Sequence, residues 1–368
     1  MLKRLLAVTA AMLLTIATAA VAAELAGDHP TTYTVKKGDT LWDIAGRFLK
    51  KPWLWPEIWQ ANPQVKNPHL IYPGDVLSLV YIDGKPVVQA EGPRIEEAVN
   101  TIPLSDVEAF LKQFTVLDDI ESLPYVVGLE EDRLRSAAGQ LVYVRGLEGA
   151  RPGQLVDIVR PVNVFGGGKG KRIPGFSRLD DRGSRQHSHW TTPMGFGEAT
   201  GETLGHELQL HASGEVTRVQ GEVAVVLLRD EGREIRIGDR ILPPEAQPYD
   251  LQFMPRAPDS IPDNARIMAV ADGIGAGPRY VVALSVGARE GIRNGHTFSV
   301  WSEGAVRPDR IANRNAFMAN RDKVEMPDDF LGHVMVFRTF DKVSYALVMN
   351  GIRPISQGDV LKHPDATE

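Results

Sequence analysis

Histidine pairs are the residues whose spacing first suggests chemistry in this chain. His187 and His189 are one residue apart, which is the spacing of half the ligand set in one class of zinc endopeptidase. That class also needs a His followed four residues later by Asp, and no histidine in the sequence has Asp at that position. We therefore expect no metal, no cofactor and no catalytic residues, with this pair in a solvated loop.

The stretch HELQLH, residues 206–211, resembles a zinc protease motif only superficially. Its second histidine follows the first by five residues instead of four, so the two would not share a helical face. Apolar and polar residues alternate here, which predicts a strand with His206 and Glu207 on opposite faces. The stretch is thus interpreted as sheet structure.

Residues 162–195 form the most basic segment. Between 161 and 190 there are six Lys or Arg and two Asp. The glycines within it do not form a phosphate loop, because Phe165 stands where the first Gly is required and Arg172 replaces Ser or Thr. We predict a mobile, solvated loop; the alternative is contact with an acidic partner or an anionic wall polymer.

The first 23 residues have the pattern of a secretory signal peptide. Lys3 and Arg4 precede an apolar run that ends in small residues, Ala20 to Ala23. Cleavage after Ala22 or Ala23 would export the protein, and a periplasmic location at the cell wall is expected. An uncleaved N-terminal anchor is the alternative.

The composition excludes several function classes. The chain has no cysteine, so it can form no disulfide, thiolate metal site or cysteine nucleophile, and cysteine peptidases and L,D-transpeptidases are ruled out. Its net charge is -6, and loss of Lys3 and Arg4 makes it -8. An acidic chain of this kind is not expected to bind nucleic acid.

Residues 32–80 predict a small βααβ module. Tyr33 and Val35 alternate as strand residues, and Thr40 can cap a helix. The apolar residues of that helix recur at i, i+3, i+4 and i+7, at Leu41, Ile44, Ala45 and Phe48. Pro56 suits the start of a second helix that ends near residue 62, and a strand from Val76 closes the module.

This module resembles the LysM family, which binds peptidoglycan and other N-acetylglucosamine-containing glycans. The resemblance rests on Val-x-x-Gly-Asp-Thr-Leu-Trp-x-Ile-Ala, on Asn-Pro, and on Ile-x-Pro-Gly-Asp-x-Leu, and it covers the whole module. It implies a shallow glycan groove between two loops. The residues expected to line it are Gly38, Asp39, Thr40 and Leu41 on one side, and Asn62, Pro63, Leu70, Ile71, Tyr72 and Pro73 on the other.

Four of the six tryptophans lie in this module, at Trp42, Trp53, Trp55 and Trp59. So small a module has few other residues to fill its core, so a structural role is favoured, with one ring beside the groove as the alternative. A single shallow site makes few hydrogen bonds, each worth about 1 kcal/mol, which predicts affinity no better than roughly micromolar. Firm attachment then requires several copies, so a multimeric arrangement is expected.

The rest of the chain predicts mainly β structure. Residues 81–104 are polar, with Pro and Gly, and are interpreted as a linker. Ser105 to Glu108 has the capping-box pattern and is expected to open a short helix. This helix opens the first of two predicted units, residues 105–247 and 260–364.

The two units contain an internal repeat. Each copy has a strand, a Gly turn, a second strand, a variable loop, a Leu-Gly-His start, a strand pair and a Gly-Asp turn. The segments are 141–161, 204–219 and 223–244 in the first copy, and 280–301, 331–343 and 344–364 in the second. We therefore predict an α+β protein whose C-terminal part is a tandem duplication of small barrel-like units.

The arrangement as a whole resembles type IV pilus secretin-associated proteins, in which a LysM module precedes a domain similar to a flagellar T-ring protein. The resemblance is carried by Pro124 to Val127, Leu331-Gly332, Val336 to Arg338, Phe340, Ser344 to Met349 and Gly358-Asp359. It implies a non-enzymatic scaffold that ties an outer-membrane secretin to peptidoglycan. The alternatives are a wall-remodelling hydrolase or its activator, and a wall protein without a secretin partner.

Overall fold

A computed structural model provides the structure of the protein. It describes residues 24–56, 71–82, 85–91, 102–132, 134–166, 190–191, 202–229, 232–244, 253–271, 273, 275–308 and 323–367. The expected signal peptide, Trp59, His187, His189 and most of the basic loop lie outside these residues. The chain divides into two units, Met1–Val99 and Asn100–Glu368.

The N-terminal unit contains a three-stranded antiparallel sheet and a short helix. Its elements are β1 (Thr32–Thr34), α1 (Leu41–Phe48), a 3-10 turn (Pro52–Leu54), β2 (Val76–Ile82) and β3 (Lys85–Glu91), with β2 between the other two strands. The predicted linker is thus corrected, because residues 85–91 pair with β2 along its full length. Of the predicted second helix, Trp55 and Pro56 are helical and the remainder lies outside the described residues.

The start of α1 confirms the prediction made from Thr40. The Thr40 hydroxyl accepts a hydrogen bond from the Asp43 N–H over 3.1 Å, and Asp43 Oδ2 accepts one from the Thr40 N–H over 3.2 Å. This capping box satisfies amide groups that the first turn of a helix leaves free. The apolar face of α1 is buried against Trp55, Leu77 and Val88, which form the core of the unit.

The C-terminal unit begins with α2 (Leu104–Lys112). The predicted cap at Ser105 is wrong, because the helix starts at Leu104, after Pro103, and has no side-chain cap. Ser105 therefore lies inside the first turn, and its hydroxyl donates to Asp106 over 3.2 Å. Asp106 in turn accepts a hydrogen bond from Arg279 Nε over 2.6 Å, which joins the helix to the second half of the unit.

The first sheet follows α2 and contains seven strands. These are β4 (Phe114–Leu117), β5 (Tyr125–Leu129), β6 (Leu141–Arg145), β7 (Leu155–Gly166), β9 (Thr203–Gln220), β10 (Val223–Leu228) and β11 (Arg240–Leu242), while β8 (Trp190–Thr191) lies between β7 and β9 in sequence only. Pairing runs from β10 to β6, β5, β11, β7 and β9, and returns from β9 to β10. β4 pairs with β9 outside this circuit.

The second sheet also contains seven strands. Their order is β19 (Val360–Lys362), β14 (Thr297–Ser302), β17 (Asp329–Thr339), β18 (Ser344–Gly351), β13 (Val281–Leu284), β12 (Ile267–Ala271) and β8. An isolated bridge between Arg266 and Val360 joins the start of β12 to β19. A separate two-stranded ribbon, β15 (Val306–Pro308) and β16 (Lys323–Glu325), lies between β14 and β17 in sequence.

The two sheets share one hydrophobic core, which modifies the predicted domain boundaries. Residues 162–166 belong to β7, so the loop expected to start at 162 starts later. Trp190 was expected in that loop, but it belongs to β8, which pairs with β12 of the second sheet. Side chains of α2, of both sheets and of β8 pack in the same cluster, which includes Phe110, Phe165, Trp190, Phe337 and Tyr345.

Candidate glycan-binding site

The first loop of the expected groove is a tight turn at residues 36–39. Gly38 has φ of 91°, a left-handed conformation that costs little only for glycine. Asp39 fixes the turn, because its Oδ2 accepts hydrogen bonds from the Lys36 N–H and from the Tyr33 hydroxyl, both over 2.8 Å. An added Cβ at Gly38 would meet no atom within 4 Å, so the backbone here faces open space.

The second loop carries the same turn at residues 72–75. Gly74 has φ of 94°, and Asp75 Oδ2 accepts a hydrogen bond from the Tyr72 N–H over 3.1 Å. Val35 joins this loop to the first: its N–H donates to the Asp75 carbonyl over 2.9 Å, and its carbonyl accepts from the Gly74 N–H over 2.8 Å. Two glycine turns are therefore held side by side at one edge of the sheet.

The predicted groove residues separate into accessible and buried groups. Gly38 is exposed, and Asp39, Tyr72 and Pro73 are half-buried. Thr40 is buried and occupied by its capping role. Asn62, Pro63 and Leu70 lie outside the described residues.

Two of the predicted residues are better explained as core. Leu41 is the first apolar residue of the buried face of α1, and Ile71 is fully buried immediately before the second turn. Their side chains pack with Ile44, Phe48 and Trp55. Any contact that these two residues make with a glycan must therefore involve their backbone groups.

The tryptophans pack inside the module. Trp42, Trp53 and Trp55 are buried, and the ring centroids of Trp42 and Trp53 are 6.3 Å apart. The structural role predicted for these three residues is confirmed. Trp59 lies outside the described residues.

Two residues beside the first turn were not selected from the sequence as site residues. The guanidinium carbon of Arg47 lies 4.6 Å from the centre of the Tyr33 ring, and the hydroxyl of that ring donates to Asp39. Partial burial of Tyr33, followed by its bond to Asp39, raises the pKa of its hydroxyl. The sequence indicates this contact only through the positions of its partners. Tyr33 lies in the strand before the turn, and Arg47 lies on the exposed side of α1.

Of the two histidine motifs, the structure describes only HELQLH, which lies in a strand. His206 and Glu207 are consecutive residues of β9, so the prediction of a strand for HELQLH is confirmed. His211 is largely buried, and burial lowers its pKa to about 3, with Arg160 adding to the effect. Among the described residues, no group of three or more His, Asp or Glu side chains is placed to hold a metal ion.

Glu207 is a buried carboxyl on the same strand. Its side chain is fully buried; both carboxylate oxygens lie 2.8 Å from Trp190 Nε1, and the Tyr345 hydroxyl also donates to Oε1. Burial raises its pKa to about 7, while the two hydrogen bonds oppose that shift. The hydrogen bonds of the carboxyl join β9 to β8 and to β18. Because aromatic side chains enclose the carboxyl, it is not presented to a substrate.

A short stretch of the chain is similar to a protein of Bacillus subtilis. A stretch of 60 residues is 43% identical to YqbP, an uncharacterized protein of Bacillus subtilis (strain 168), and covers 14% of this chain and 27% of the relative. The match therefore spans about a quarter of the relative's length.

No helix among the described residues is long and apolar enough to cross a membrane.

The model of the LysM domain matches residues 33–80. This match covers both glycine turns, the capped helix α1 and β2 as far as residue 80. LysM domains are binding modules for peptidoglycan-type glycans, and they usually occur in extracellular or cell-wall proteins. Residues 33–80 are therefore a LysM domain, and the paired turns of Gly38 and Gly74 are its candidate glycan-binding site.

Proposed function

We propose that this protein is a non-enzymatic periplasmic scaffold that attaches an outer-membrane secretin of the type IV pilus to the cell wall. The LysM domain would bind peptidoglycan glycan strands at the two turns, and the C-terminal unit would bind the secretin. The observation that carries the wall-binding part is the pair of glycine turns joined through Val35. The secretin part is supported by the resemblance of the C-terminal sequence to type IV pilus secretin-associated proteins.

The chemistry of the turns suits an acetamido sugar. Such a sugar needs hydrogen-bond donors and acceptors for its amide and hydroxyl groups, and a small apolar surface for its methyl group. The exposed backbone at Gly38 supplies the polar contacts without a side chain in the way. The half-buried Tyr72 and Pro73 supply the apolar surface.

We also propose that the C-terminal unit is a tandem duplication of a small barrel-like unit. Corresponding hydrogen bonds support this: Gly153 N–H donates to the Val216 carbonyl over 2.8 Å in the first sheet. In the second sheet, Gly295 N–H donates to the Val336 carbonyl over 2.7 Å. The order of strand pairing is also the same in the two sheets. The first circuit, β10, β6, β5, β11, β7 and β9, corresponds strand by strand to β18, β13, β12, β19, β14 and β17. The Arg266–Val360 bridge joins the start of β12 to β19 and completes the second circuit.

A duplicated β unit is suited to binding a protein surface. Because one LysM domain is expected to bind glycan only weakly, several copies around a multimeric secretin would give firm attachment. A single mature chain would bind an excess of purified polymer with roughly micromolar affinity, but it would dissociate from the wall more readily than an array of copies. The proposal therefore includes a multimeric arrangement on the partner.

Incubation of the mature chain with purified peptidoglycan tests the wall-binding and non-enzymatic parts together. We expect the protein to sediment with the polymer and to release no soluble fragments. Tyr72→Ala should weaken sedimentation, whereas Tyr280→Ala, a partly exposed tyrosine of the C-terminal unit, should leave it unchanged. Release of soluble fragments, abolished by a chelator, would favour the hydrolase alternative.

A further inference from the structure

The first turn of the LysM domain carries positive charge that its own carboxylates do not neutralise. Its two lysines, Lys36 and Lys37, outnumber its one carboxylate, Asp39, which accepts hydrogen bonds from the Lys36 N–H and the Tyr33 hydroxyl. The ammonium groups of Lys36 and Lys37 are on exposed residues, and neither makes an ion pair with the part of the chain that the structure describes. The turn is therefore rigid and cationic.

A third cation lies beside the same turn. Arg47 is exposed, and its guanidinium lies over the ring of Tyr33, whose hydroxyl contacts Asp39. Through the ring contact and the hydrogen bond, Tyr33 links Arg47, in the last turn of α1, to Asp39, the residue after Gly38. Lys36, Lys37 and Arg47 thus form a cationic rim around the exposed backbone of the candidate glycan site.

This rim contrasts with the charge of the whole protein. Residues 32–80 contain six Lys or Arg and four Asp or Glu, whereas the full chain has a net charge of -6. Positive charge concentrated at one site of an acidic protein attracts anionic ligands locally. The N-acetylglucosamine residues of the glycan are neutral. A ligand that binds the rim must therefore carry an anionic group elsewhere.

We infer that Lys36 and Lys37 bind the carboxylates of the peptide stems of peptidoglycan, and that Arg47 adds to their field. This inference rests on the proposed function, because it assumes that the glycan lies at the Gly38 turn. In peptidoglycan, alternate sugars carry short peptides whose carboxylates are ionised at neutral pH. The site therefore prefers anionic, peptide-bearing glycan strands to neutral chitin or to strands without peptides.

The expected size of this preference follows from the exposure of the two lysines. Exposed ion pairs are individually weak, and each one corresponds to about two- to five-fold in affinity. Two of them give a preference on the order of ten-fold at low salt. Because both are exposed to solvent, the preference should fall steeply as ionic strength rises.

Binding of the mature chain to three soluble probes tests the inference. The probes are uncrosslinked glycan strands with their peptide stems, the same strands after enzymatic removal of the peptides, and chitin oligomers. The wild type should bind the first probe about ten-fold more tightly than the other two at low salt, with little difference at high salt. A double variant, Lys36→Gln with Lys37→Gln, should bind all three probes equally.

A matched variant controls for the loss of charge. Lys50→Gln removes a cation of the same domain that is already paired with Glu24 over 2.6 Å, and it should keep the wild-type preference. Equal binding of the wild type to all three probes, or an equal loss on all three in the double variant, would overturn the inference while glycan binding stands. Failure of the wild type to bind any probe would instead overturn the proposed wall-binding function.

Discussion

The LysM domain and the C-terminal unit use the same glycine–aspartate turn in different surroundings. At Gly38 and at Gly238 the backbone is left-handed, with φ of 91° and 94°, and the following aspartate accepts a hydrogen bond from the N–H three residues before it. At Gly38 the turn is open to solvent. At Gly238 the turn is locked into the first sheet, because its N–H donates to the Val126 carbonyl.

The two aspartates show what the surroundings change. Asp39 is half-buried and is bound by neutral donors, whereas Asp239 is 1% exposed and forms two hydrogen bonds of 2.7 Å with Arg160. Burial raises the pKa of Asp239, and Arg160 opposes that shift. One local sequence pattern therefore produces a solvent-exposed turn at the candidate glycan site in one unit and a structural joint in the other.

Removal of Arg160 is expected to have the largest effect. Arg160→Met leaves the carboxylate of Asp239 buried without its guanidinium, which should cost about 3–5 kcal/mol of unfolding free energy. Urea denaturation of the mature chain measures this loss. Arg145→Met, which breaks an exposed ion pair with Glu222, should cost only a small fraction of that free energy. Equal losses in the two variants would contradict the distinction between the buried Arg160–Asp239 pair and an exposed pair.

Glu207→Gln should change how stability depends on pH. Folding raises the pKa of Glu207 from its ordinary value of 4.5 to about 7, so the folded state holds the proton more tightly than the unfolded chain does. This contribution is fully present below pH 4.5 and is lost as pH rises through 7, which amounts to about 3 kcal/mol. The free energy of unfolding of the wild type, minus that of the variant, should therefore fall by that amount between about pH 4 and pH 8.

A flat difference for Glu207→Gln over this range would show that folding does not raise the pKa of the carboxyl. The aromatic enclosure by Trp190 and Tyr345 would then not desolvate it.

The two helices offer the smallest contrast. Thr40→Ala removes the cap of α1 and should cost about 1 kcal/mol of stability in the LysM domain. Ser105→Ala should cost less than about 0.5 kcal/mol, because Ser105 caps nothing and is exposed. Thermal denaturation of each variant measures the difference, and a larger loss for Ser105→Ala would reverse the assignment of the caps.

Local patterns of the LysM domain could be predicted from the sequence. Thr40 and the apolar spacing of α1 define the helix because both signals act within two turns. The same pattern at Ser105 failed, because Pro103 and Leu104 start the helix before the expected cap. The burial of Trp42, Trp53 and Trp55 followed from the small size of the module.

Long-range pairing could not be predicted in the same way. Residues 85–91 contain Pro and charged residues, and their place in the sheet comes from backbone bonds with β2. Trp190 lies in a basic segment without periodicity, yet it reaches β12 and the buried Glu207. The Arg47–Tyr33 contact depends on how α1 packs against β1, which no single stretch of sequence encodes.

The most direct test of the account is glycan binding by residues 24–91 alone, compared with residues 102–368 alone. The first fragment should fold, as judged by its circular dichroism and a cooperative thermal transition, and should bind soluble peptidoglycan strands as tightly as one copy of the mature chain. The second fragment should fold and show no affinity for these strands. A folded first fragment without affinity, or binding confined to the second, would contradict the assignment of the glycan site to the turns at Gly38 and Gly74.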